Sequence, residues 1–341
     1  MITEVKNYLE QLIEKNDLTI EDSQKLMNEI MSGEINNSHL SAILIALKAK
    51  GETAEEIAGF AKAMRERSLK INCEDEKAID VCGTGGDNSG SFNVSTAVAF
   101  TVAGKGVKVA KHGNRSISSK SGSADVLQEL GINISLSREQ SEVALNKIGI
   151  AFLFAPLYHP AMKYASTVRK ELGIKTVFNM LGPLTNPAGV KRQLIGAFNR
   201  KAARTMARAA KYLDFEKAVF ICNNNKYDEI FLEEMTDVYE FSNPETISSY
   251  ALTSKTFGYP ETSAEQIKGA SPEVNAKILM NLFTEKQRNS IFTTTAANAA
   301  LALYCAGYSE NLDDCRLAAE ESIMSGAALQ KLNQLRDYSK T

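Results

Sequence analysis

Tryptophan, histidine and cysteine are scarce in this chain of 341 residues, which contains no tryptophan, three histidines and five cysteines. Three histidines without an H-E-x-x-H motif argue against zinc chemistry. The cysteines are scattered without a C-x-x-C pair, which favours reduced thiols over a disulfide framework or a zinc site. Long apolar runs are also missing, since no uninterrupted stretch approaches the ~18 residues that a membrane-spanning helix needs.

Neither sign of charge dominates. The sequence has 39 basic and 41 acidic residues, which gives a formal net charge of −2. This balance provides no global reason to expect a nucleic-acid or membrane partner, so any anion site must be local. The first residues carry charges, at Glu4 and Lys6, where a signal peptide would need an apolar core. We therefore expect the chain to be cytoplasmic.

Apolar residues recur at helical spacing from the start to about residue 68, for example at Leu40, Ile43 and Leu47. Thr19 and Thr53 each precede an acidic residue by three positions. This spacing is typical of a capping box, in which a side-chain oxygen satisfies free amides of the first helical turn. The pattern predicts a small helical region at the start of the chain.

After residue 76, short apolar strands alternate with glycine-rich turns and helices. Such alternation implies a mostly parallel sheet covered on both faces. The predicted fold class is α/β, with a small all-helical domain and a larger α/β domain around a mostly parallel central sheet. The predicted strands cover residues 78–81, 107–110, 151–154, 194–197 and 218–222, and the predicted helices cover 95–103, 124–130, 139–148 and 200–213.

A glycine-rich loop is the densest motif. Residues 80–87 read Asp-Val-Cys-Gly-Thr-Gly-Gly-Asp, and residues 93–96 read Asn-Val-Ser-Thr at the start of an apolar helix. At the carboxyl end of a parallel strand, such a loop lets backbone amides approach the oxygens of a diphosphate. Asn88 and Ser91 exclude two familiar motifs, because a dinucleotide fingerprint needs glycine at the first position and a P-loop needs lysine at the second. A purely structural connection between strand and helix is the alternative.

A basic loop follows about twenty residues later. Residues 111–123 read Lys-His-Gly-Asn-Arg-Ser-Ile-Ser-Ser-Lys-Ser-Gly-Ser, directly after a predicted strand. Three cations, a histidine and five serines suit the binding of two separated phosphates better than they suit a core. The alternative is a solvated surface loop.

Two adjacent acidic residues, Asp228 and Glu229, follow the polar turn at residues 223–226. Neighbouring carboxylates usually face solvent, which is one interpretation of the pair. Apolar Ile230 and Phe231 come next, however, and place the pair at the edge of the core. Because magnesium takes one or two carboxylates together with phosphate oxygens, the pair could bind the ion that accompanies a diphosphate.

Together these motifs resemble the anthranilate phosphoribosyltransferase family. His-Pro-Ala-Met at residues 159–162, Arg169 and residues 179–187 also match in order, so the resemblance covers nearly the whole chain, and it is most specific over residues 111–119. It implies a magnesium-dependent glycosyltransferase (a pentosyltransferase) of tryptophan biosynthesis. Such an enzyme transfers the 5-phosphoribosyl group of phosphoribosyl pyrophosphate (PRPP) to the amine of anthranilate.

The resemblance also implies an organisation. A small helical domain over residues 1–70, completed by a segment near 165–190, would pack against an α/β PRPP-binding domain over residues 75–341. PRPP would lie between the domains, and two chains would form a homodimer through the helical domains. At residues 223–227 the sequence departs from the family pattern, so the conformation of that loop is not predicted.

Site residues are carried over one by one. Gly83, Asn114 and Arg169 would bind anthranilate, while Ser95, Asp228 and Glu229 would hold two magnesium ions. No catalytic acid or base is assigned, because the aromatic amine of anthranilate is unprotonated at neutral pH. The residues expected to contact PRPP are Gly83, Gly86, Asp87, Ser91, Asn93, Val94, Ser95, Thr96, Lys111, His112, Gly113, Asn114, Arg115, Ser116, Ile117, Ser118, Ser119 and Ser123.

Two other functions fit parts of the pattern. A pyrimidine nucleoside phosphorylase has a similar architecture, but its basic loop differs from residues 111–115 and it has no evident use for Asp228 and Glu229. A non-catalytic relative that binds nucleic acid predicts a strongly basic surface. The slightly acidic composition disfavours it, and no nucleic-acid or membrane partner is expected.

Overall fold

Four helices form the first part of the chain. The computed structural model describes residues 2–87, 89–116, 120–242 and 246–340. The helices are α1 (Ile2–Ile13), α2 (Ile20–Ser32), α3 (Asn37–Lys50) and α4 (Ala54–Arg67). The hydroxyls of Thr19 and Thr53 accept the amides of Asp22 and Glu56, and Gly51 ends α3 with a φ of 90°. The predicted helix starts are therefore confirmed.

Strands and helices alternate in the rest of the chain. The elements are β1 (Ile79–Gly83), α5 (Val94–Ala103), β2 (Val109–Gly113), α6 (Ser123–Glu129), α7 (Arg138–Val143), β3 (Ile150–Phe154), α8 (Ala155–Tyr158), α9 (Lys163–Leu172), α10 (Val177–Leu181), β4 (Arg192–Gly196), α11 (Arg200–Ala209), β5 (Lys217–Asn223), β6 (Thr236–Ser242), β7 (Thr246–Leu252), α12 (Pro272–Glu285), α13 (Ser290–Ala306), α14 (Leu312–Ser325) and α15 (Ala327–Tyr338). The five predicted strands and four predicted helices are all present. The unpredicted strands are β6 and β7.

One sheet organises the α/β part. Within the described residues its seven strands lie in the order β3-β2-β1-β4-β5-β6-β7. Strands β1 to β5 are parallel, and β6 and β7 extend the sheet in antiparallel fashion beyond β5. The predicted fold class is confirmed. Because the carboxyl ends of parallel strands meet at one edge, the loops after residues 83, 113, 196 and 223 assemble there.

Two hydrophobic clusters lie on opposite faces of this sheet. Val219 and Ile221 of β5 belong to the cluster that contains α5 and α13. Ala218 and Phe220, the alternate residues of the same strand, belong to the cluster that contains α1 to α4 and α9 to α11. The core of the first four helices is thus continuous with one face of the sheet. No helix in the described part of the chain combines the length and apolar character needed to cross a membrane.

Candidate active site

The glycine loop after β1 folds against the carboxylate pair. Gly85 and Gly86 have φ angles of 65° and 70°, a left-handed conformation that glycine adopts without steric cost. The amide of Gly85 donates to Asp228 Oδ2 at 2.9 Å. A Cβ atom on Gly83 would overlap that same carboxylate. The loop therefore brings its backbone amides and Asp228 together.

The start of α5 contributes the second side of this site. The hydroxyl of Ser91 donates to Glu229 Oε2 at 2.9 Å. Ser95 lines the same small cavity as Asp228 and Glu229. Ser95 thus lies beside the acidic pair, and three residues predicted to share a metal, Ser95, Asp228 and Glu229, are brought together.

Burial changes the protonation of the half-buried pair. Desolvation, reinforced by the charge of Asp87, raises the pKa of Asp228 to about 8. Desolvation and the neighbouring charge of Asp228 raise the pKa of Glu229 as well. No group of three or more histidine, cysteine or acidic side chains in the described residues is arranged to hold a metal. Magnesium is usually coordinated by one or two carboxylates together with oxygens of the substrate phosphates. The two carboxylates of this pair therefore fit such an ion.

Lys111 does not lie in a solvated loop. It belongs to β2 and is 3% exposed, and its ammonium donates to Val81 O at 2.8 Å and Ser95 Oγ at 3.1 Å. Desolvation lowers its pKa, which the buried Asp80 opposes. The expectation that residues 111–123 form a loop is wrong for Lys111, His112 and Gly113, because strand pairing and buried acceptors compensate the polar groups.

His112 is buried as well and faces His159, with their ring centroids 5.2 Å apart. Desolvation lowers the pKa of His112 to about 3 and that of His159 to about 4. Nε2 of each ring is buried and has no hydrogen-bond partner among the described residues, and the carbonyls of Gly182 and Thr185 oppose the lowering of the two pKa values. Both rings are neutral at physiological pH, so His112 adds no positive charge to the basic loop.

The described part of the basic loop is closed by an acidic residue of α6. Asp125 Oδ2 accepts the amides of Ser116 at 3.1 Å and Gly122 at 2.9 Å, and Asp125 Oδ1 accepts Arg115 Nη1 at 3.0 Å. These bonds hold both ends of the loop, at Ser116 and Gly122, against the start of α6. The predicted PRPP contacts Ile117, Ser118 and Ser119 lie outside the described residues.

Arg169 lies in the last turn of α9. Its guanidinium carbon is 5.1 Å from the ring centroid of Phe178, and burial lowers its pKa. Among the described residues its guanidinium has no hydrogen-bond or ion-pair partner, and none of their hydrogen bonds joins it to Asn114. The Asn114 side chain instead accepts the amide of Arg115 at 2.7 Å. The donors of Arg169 are therefore available to a ligand carboxylate.

Comparison with known proteins identifies the family. A model described as the glycosyl transferase family, a/b domain, matches residues 75–329, and one described as the glycosyl transferase family, helical bundle domain, matches residues 6–68. The anthranilate phosphoribosyltransferase of Persephonella marina is 41% identical over 98% of this chain and 99% of its own length. That of Geobacillus stearothermophilus is 42% identical, covering 97% of both chains. The chain belongs to the anthranilate phosphoribosyltransferase family.

Solved structures of the anthranilate phosphoribosyltransferase family agree in fold. The enzyme from Thermus thermophilus has a TM-score of 0.92 and 34% identity, covering 98% of this chain and 99% of the other. The enzyme from Saccharomyces cerevisiae, solved in complex with PRPP and Mg, has a TM-score of 0.89 and 28% identity, covering 98% of each chain. The resemblance inferred from the motifs is confirmed.

The turn that departs from the family pattern is well defined. Asn223 and Tyr227 exchange backbone hydrogen bonds of 2.9 Å, and Asn224 and Asn225 adopt left-handed φ angles of 48° and 51°. Asparagine tolerates this conformation better than most residues. The Asn223 amide group also donates to Phe231 O at 2.9 Å. The asparagines therefore build a tight turn that delivers the acidic pair to the sheet edge.

Sequence reasoning missed two further residues near the site. Asn298 of α13 bonds the Ile230 amide at 2.9 Å and its carbonyl at 3.0 Å, which fixes the backbone next to Glu229. An asparagine inside the apolar run of α13 was the available signal. Lys175, between α9 and α10, has its Nζ 4.4 Å from the Phe198 ring centroid, and the Phe198 amide donates to Thr84 Oγ1 of the glycine loop at 3.0 Å. No feature of the sequence distinguished this lysine from others.

Proposed function

We propose that this chain transfers the 5-phosphoribosyl group of PRPP to the amine of anthranilate, giving N-(5-phosphoribosyl)anthranilate and pyrophosphate, in tryptophan biosynthesis. One observation carries the proposal. At a single sheet edge, the Gly85–Asp228 and Ser91–Glu229 hydrogen bonds join an amide-rich loop to two carboxylates. The relatives named above support this assignment, including the yeast enzyme solved with PRPP and Mg.

The reaction requires stabilisation of the leaving group. Departure of pyrophosphate from the anomeric carbon creates an oxocarbenium-like sugar and concentrates negative charge on the pyrophosphate. A well-placed backbone donor contributes about 2.7 to 4 kcal/mol at comparable sites, and the helix end adds roughly 0.3 to 1 kcal/mol. We assign PRPP to Gly83, Gly86, Asp87, Ser91, residues 93–96, residues 111–119 and Ser123. Lys111 is assigned to influence PRPP through its hydrogen bond to Ser95 Oγ.

Ser95, Asp228 and Glu229 are the residues that we assign to magnesium, with two ions in each active site. The two neighbouring carboxylates have raised pKa values because burial and nearby negative charge disfavour their ionised forms. A hard divalent cation bound between them would neutralise that negative charge. Magnesium bound there supplies charge neutralisation of the departing pyrophosphate. A variant of the yeast enzyme has been solved with Mg bound.

Anthranilate is assigned to Arg169, Asn114 and Gly83. The guanidinium of Arg169 can bind the anthranilate carboxylate at two points and thereby orient the amine. The aromatic amine is already unprotonated at neutral pH, so we assign no catalytic acid or base. The yeast enzyme in complex with 4-fluoroanthranilate, 27% identical with a TM-score of 0.88, supports an aromatic acceptor of this type.

The domain organisation belongs to the same proposal. Residues 1–70, completed by a segment near 165–190, form the helical domain, and residues 75–341 form the α/β domain that binds PRPP. Packing of α9 against α2 and α3, and of α10 against α3 and α4, supports this division. A homodimer formed through the helical domains rests on the family resemblance alone, and a cytoplasmic location rests on the charges at Glu4 and Lys6.

Loss of anthranilate fluorescence tests the proposal. Purified protein is mixed with anthranilate, PRPP and magnesium, with and without a chelator. We expect a decay that requires both PRPP and the metal. No decay in folded protein would refute anthranilate as the acceptor, and a decay that persists in the chelator would refute the metal assignment.

A further inference from the structure

A segment from the far end of the sequence pairs with the glycine loop. Residues 267–270, called the strap here, lie antiparallel to residues 90–92. The Phe92 amide donates to Ile267 O at 2.9 Å, and the Gly269 amide donates to Gly90 O at 2.8 Å. Ser91, whose hydroxyl bonds to Glu229, lies opposite Lys268 in this pairing. The strap therefore fixes the backbone of the residue that contacts the acidic pair.

Asn275 of α12 connects the strap to the start of α5. Its side chain is buried, with 2% of its surface exposed. Its Oδ1 accepts the Ala270 amide at 2.8 Å, and its Nδ2 donates to Asn93 Oδ1 at 2.8 Å. Asn93 in turn donates from Nδ2 to Ser121 O at 3.3 Å and accepts from Ser121 Oγ at 3.3 Å. Two amide groups thus link the strap, the helix start and the basic loop.

The hydrogen bonds that run from Ala270 through Asn275 and Asn93 to Ser121 are called the relay here. The groups at its two ends fix the orientation of both asparagine side chains. The Ala270 amide can only donate, so the oxygen of Asn275 must face it and its nitrogen must face Asn93. The Ser121 carbonyl can only accept, so the nitrogen of Asn93 must face it. A single orientation of both amide groups satisfies every bond.

The relay also changes how α5 begins. Asparagine at the position before a helix normally accepts an amide of the first turn through its side chain. Asn93 makes no such bond, since its Oδ1 receives Asn275 instead. The amide of Ser95 is one of the two that such a cap accepts, and Ser95 lines the same small cavity as Asp228 and Glu229. Asn275 thereby keeps this end of the helix directed at the acidic pair.

We infer that Asn275 is a positioning residue for the PRPP site, where it holds Asn93 away from the first turn of α5 and ties both anion-binding loops together. The inference rests on the proposed function for its substrate. Asn275 lies outside every motif singled out in the sequence, 182 residues from Asn93. Its effect on PRPP is exerted through Asn93 and the strap.

Asn275→Asp is the decisive variant because it keeps shape while removing the donor. The carboxylate still accepts the Ala270 amide, but its second oxygen faces Asn93 Oδ1. If the Asn93 amide group turns over to donate, its oxygen then faces Ser121 O, so one bond of the relay is lost either way. We expect the KM for PRPP to rise at least tenfold, with the KM for anthranilate within twofold of wild type.

Asn281→Asp is the matched control, since Asn281 is an exposed residue of the same helix. It adds the same charge and should leave both KM values unchanged. Equal rises of both KM values in Asn275→Asp, or no rise in either, would overturn the inference. If Asn275→Asp does not fold, Ser121→Ala weakens the other end of the relay, because it removes the bond from Ser121 Oγ to Asn93 and keeps the bond from Asn93 to Ser121 O. A threefold or larger rise in the KM for PRPP supports the inference, and no rise overturns it.

Calorimetric titration with magnesium and pyrophosphate separates this inference from the proposed acceptor. If the wild-type protein binds magnesium pyrophosphate but does not consume anthranilate, anthranilate is refuted as the acceptor. The role of Asn275 is then tested by the affinity for magnesium pyrophosphate alone. Binding at least tenfold weaker in Asn275→Asp than in Asn281→Asp would support the positioning role. Equal affinities in the two variants would overturn it.

Discussion

Protonation of two buried histidines is expected to weaken the folded state as the pH falls below neutral. Burial lowers the pKa of His112 to about 3 and that of His159 to about 4, whereas an unfolded histidine titrates near ~6.5. Below that value the unfolded chain binds protons that the folded chain does not bind, so the free energy of unfolding decreases. At about pH 5 the loss amounts to roughly 2 kcal/mol for each histidine.

Urea unfolding followed by circular dichroism measures this loss when wild type is compared with His112→Gln. Glutamine keeps a polar side chain with an N–H donor but does not titrate. Between about pH 7 and pH 5, the wild type should lose about 2 kcal/mol relative to the variant. Asp80, whose pKa burial raises to about 6, favours the folded state on protonation. It is present in both proteins and its contribution cancels.

NMR titration tests the cause directly, since the chain contains three histidines. The ring signals lost in His112→Gln and His159→Gln identify the buried pair, which leaves the third signal to His39. Both buried rings should remain neutral down to about pH 5. A ring of either residue that titrates near ~6.5 would refute the reasoning, because it would mean that burial does not exclude the charged form.

Three further predictions concern turnover. Arg169→Ala should raise the KM for anthranilate more than about tenfold, because bonds to a charged group contribute about 1.5 to 3 kcal/mol, while the KM for PRPP stays within twofold. Asp228→Asn combined with Glu229→Gln should reduce magnesium-dependent turnover by roughly 10² to 10³, the usual loss for a key electrostatic group. Gly196→Ala should destabilise the fold by about 1 to 3 kcal/mol and reduce turnover, because its Cβ would overlap the Asp228 carbonyl. Melting temperature and steady-state kinetics measure these effects.

Each of these predictions has a contrary result. Equal rises of both KM values in Arg169→Ala would reject its role in binding anthranilate. Unchanged metal dependence in the double variant would reject the assignment of Asp228 and Glu229 to magnesium. Gly182→Ala is the control for Gly196→Ala, since the nearest atom to its Cβ would be 4.0 Å away. Similar behaviour of the two alanine variants would contradict the steric argument.

Buried parallel strands were predictable because they are short apolar runs between turn signals. The runs at residues 151–154 and 218–222 correspond to β3 and β5, with ends one residue apart or less. Strand β6 was missed because Asp237, Glu240 and other polar residues interrupt its apolar pattern. The pairing of Glu240 with Lys217 and Tyr250, which accounts for its burial, joins residues of neighbouring strands. A local sequence window cannot show such partners.

The site residues also differ in whether the neighbouring sequence could predict their positions. Asp228 and Glu229 could be placed at the core edge from their apolar neighbours, and the glycine loop from its composition. Lys111 and His112 were assigned to a loop because cations and histidine rarely belong to a buried strand. Their partners, including Val81 O and Asp80, lie about thirty residues away and were not visible locally.

The continuous core of the first four helices determines whether the two parts of the chain can be stable separately. The family models match residues 6–68 and 75–329 as separate units. Yet Ile195 and Phe220 of the sheet share one apolar cluster with Phe60 of α4. A fragment starting at residue 69 would expose part of that face, and we expect it to aggregate unless the helical fragment is supplied in trans. Each part of the chain therefore depends on the other to cover its apolar surface.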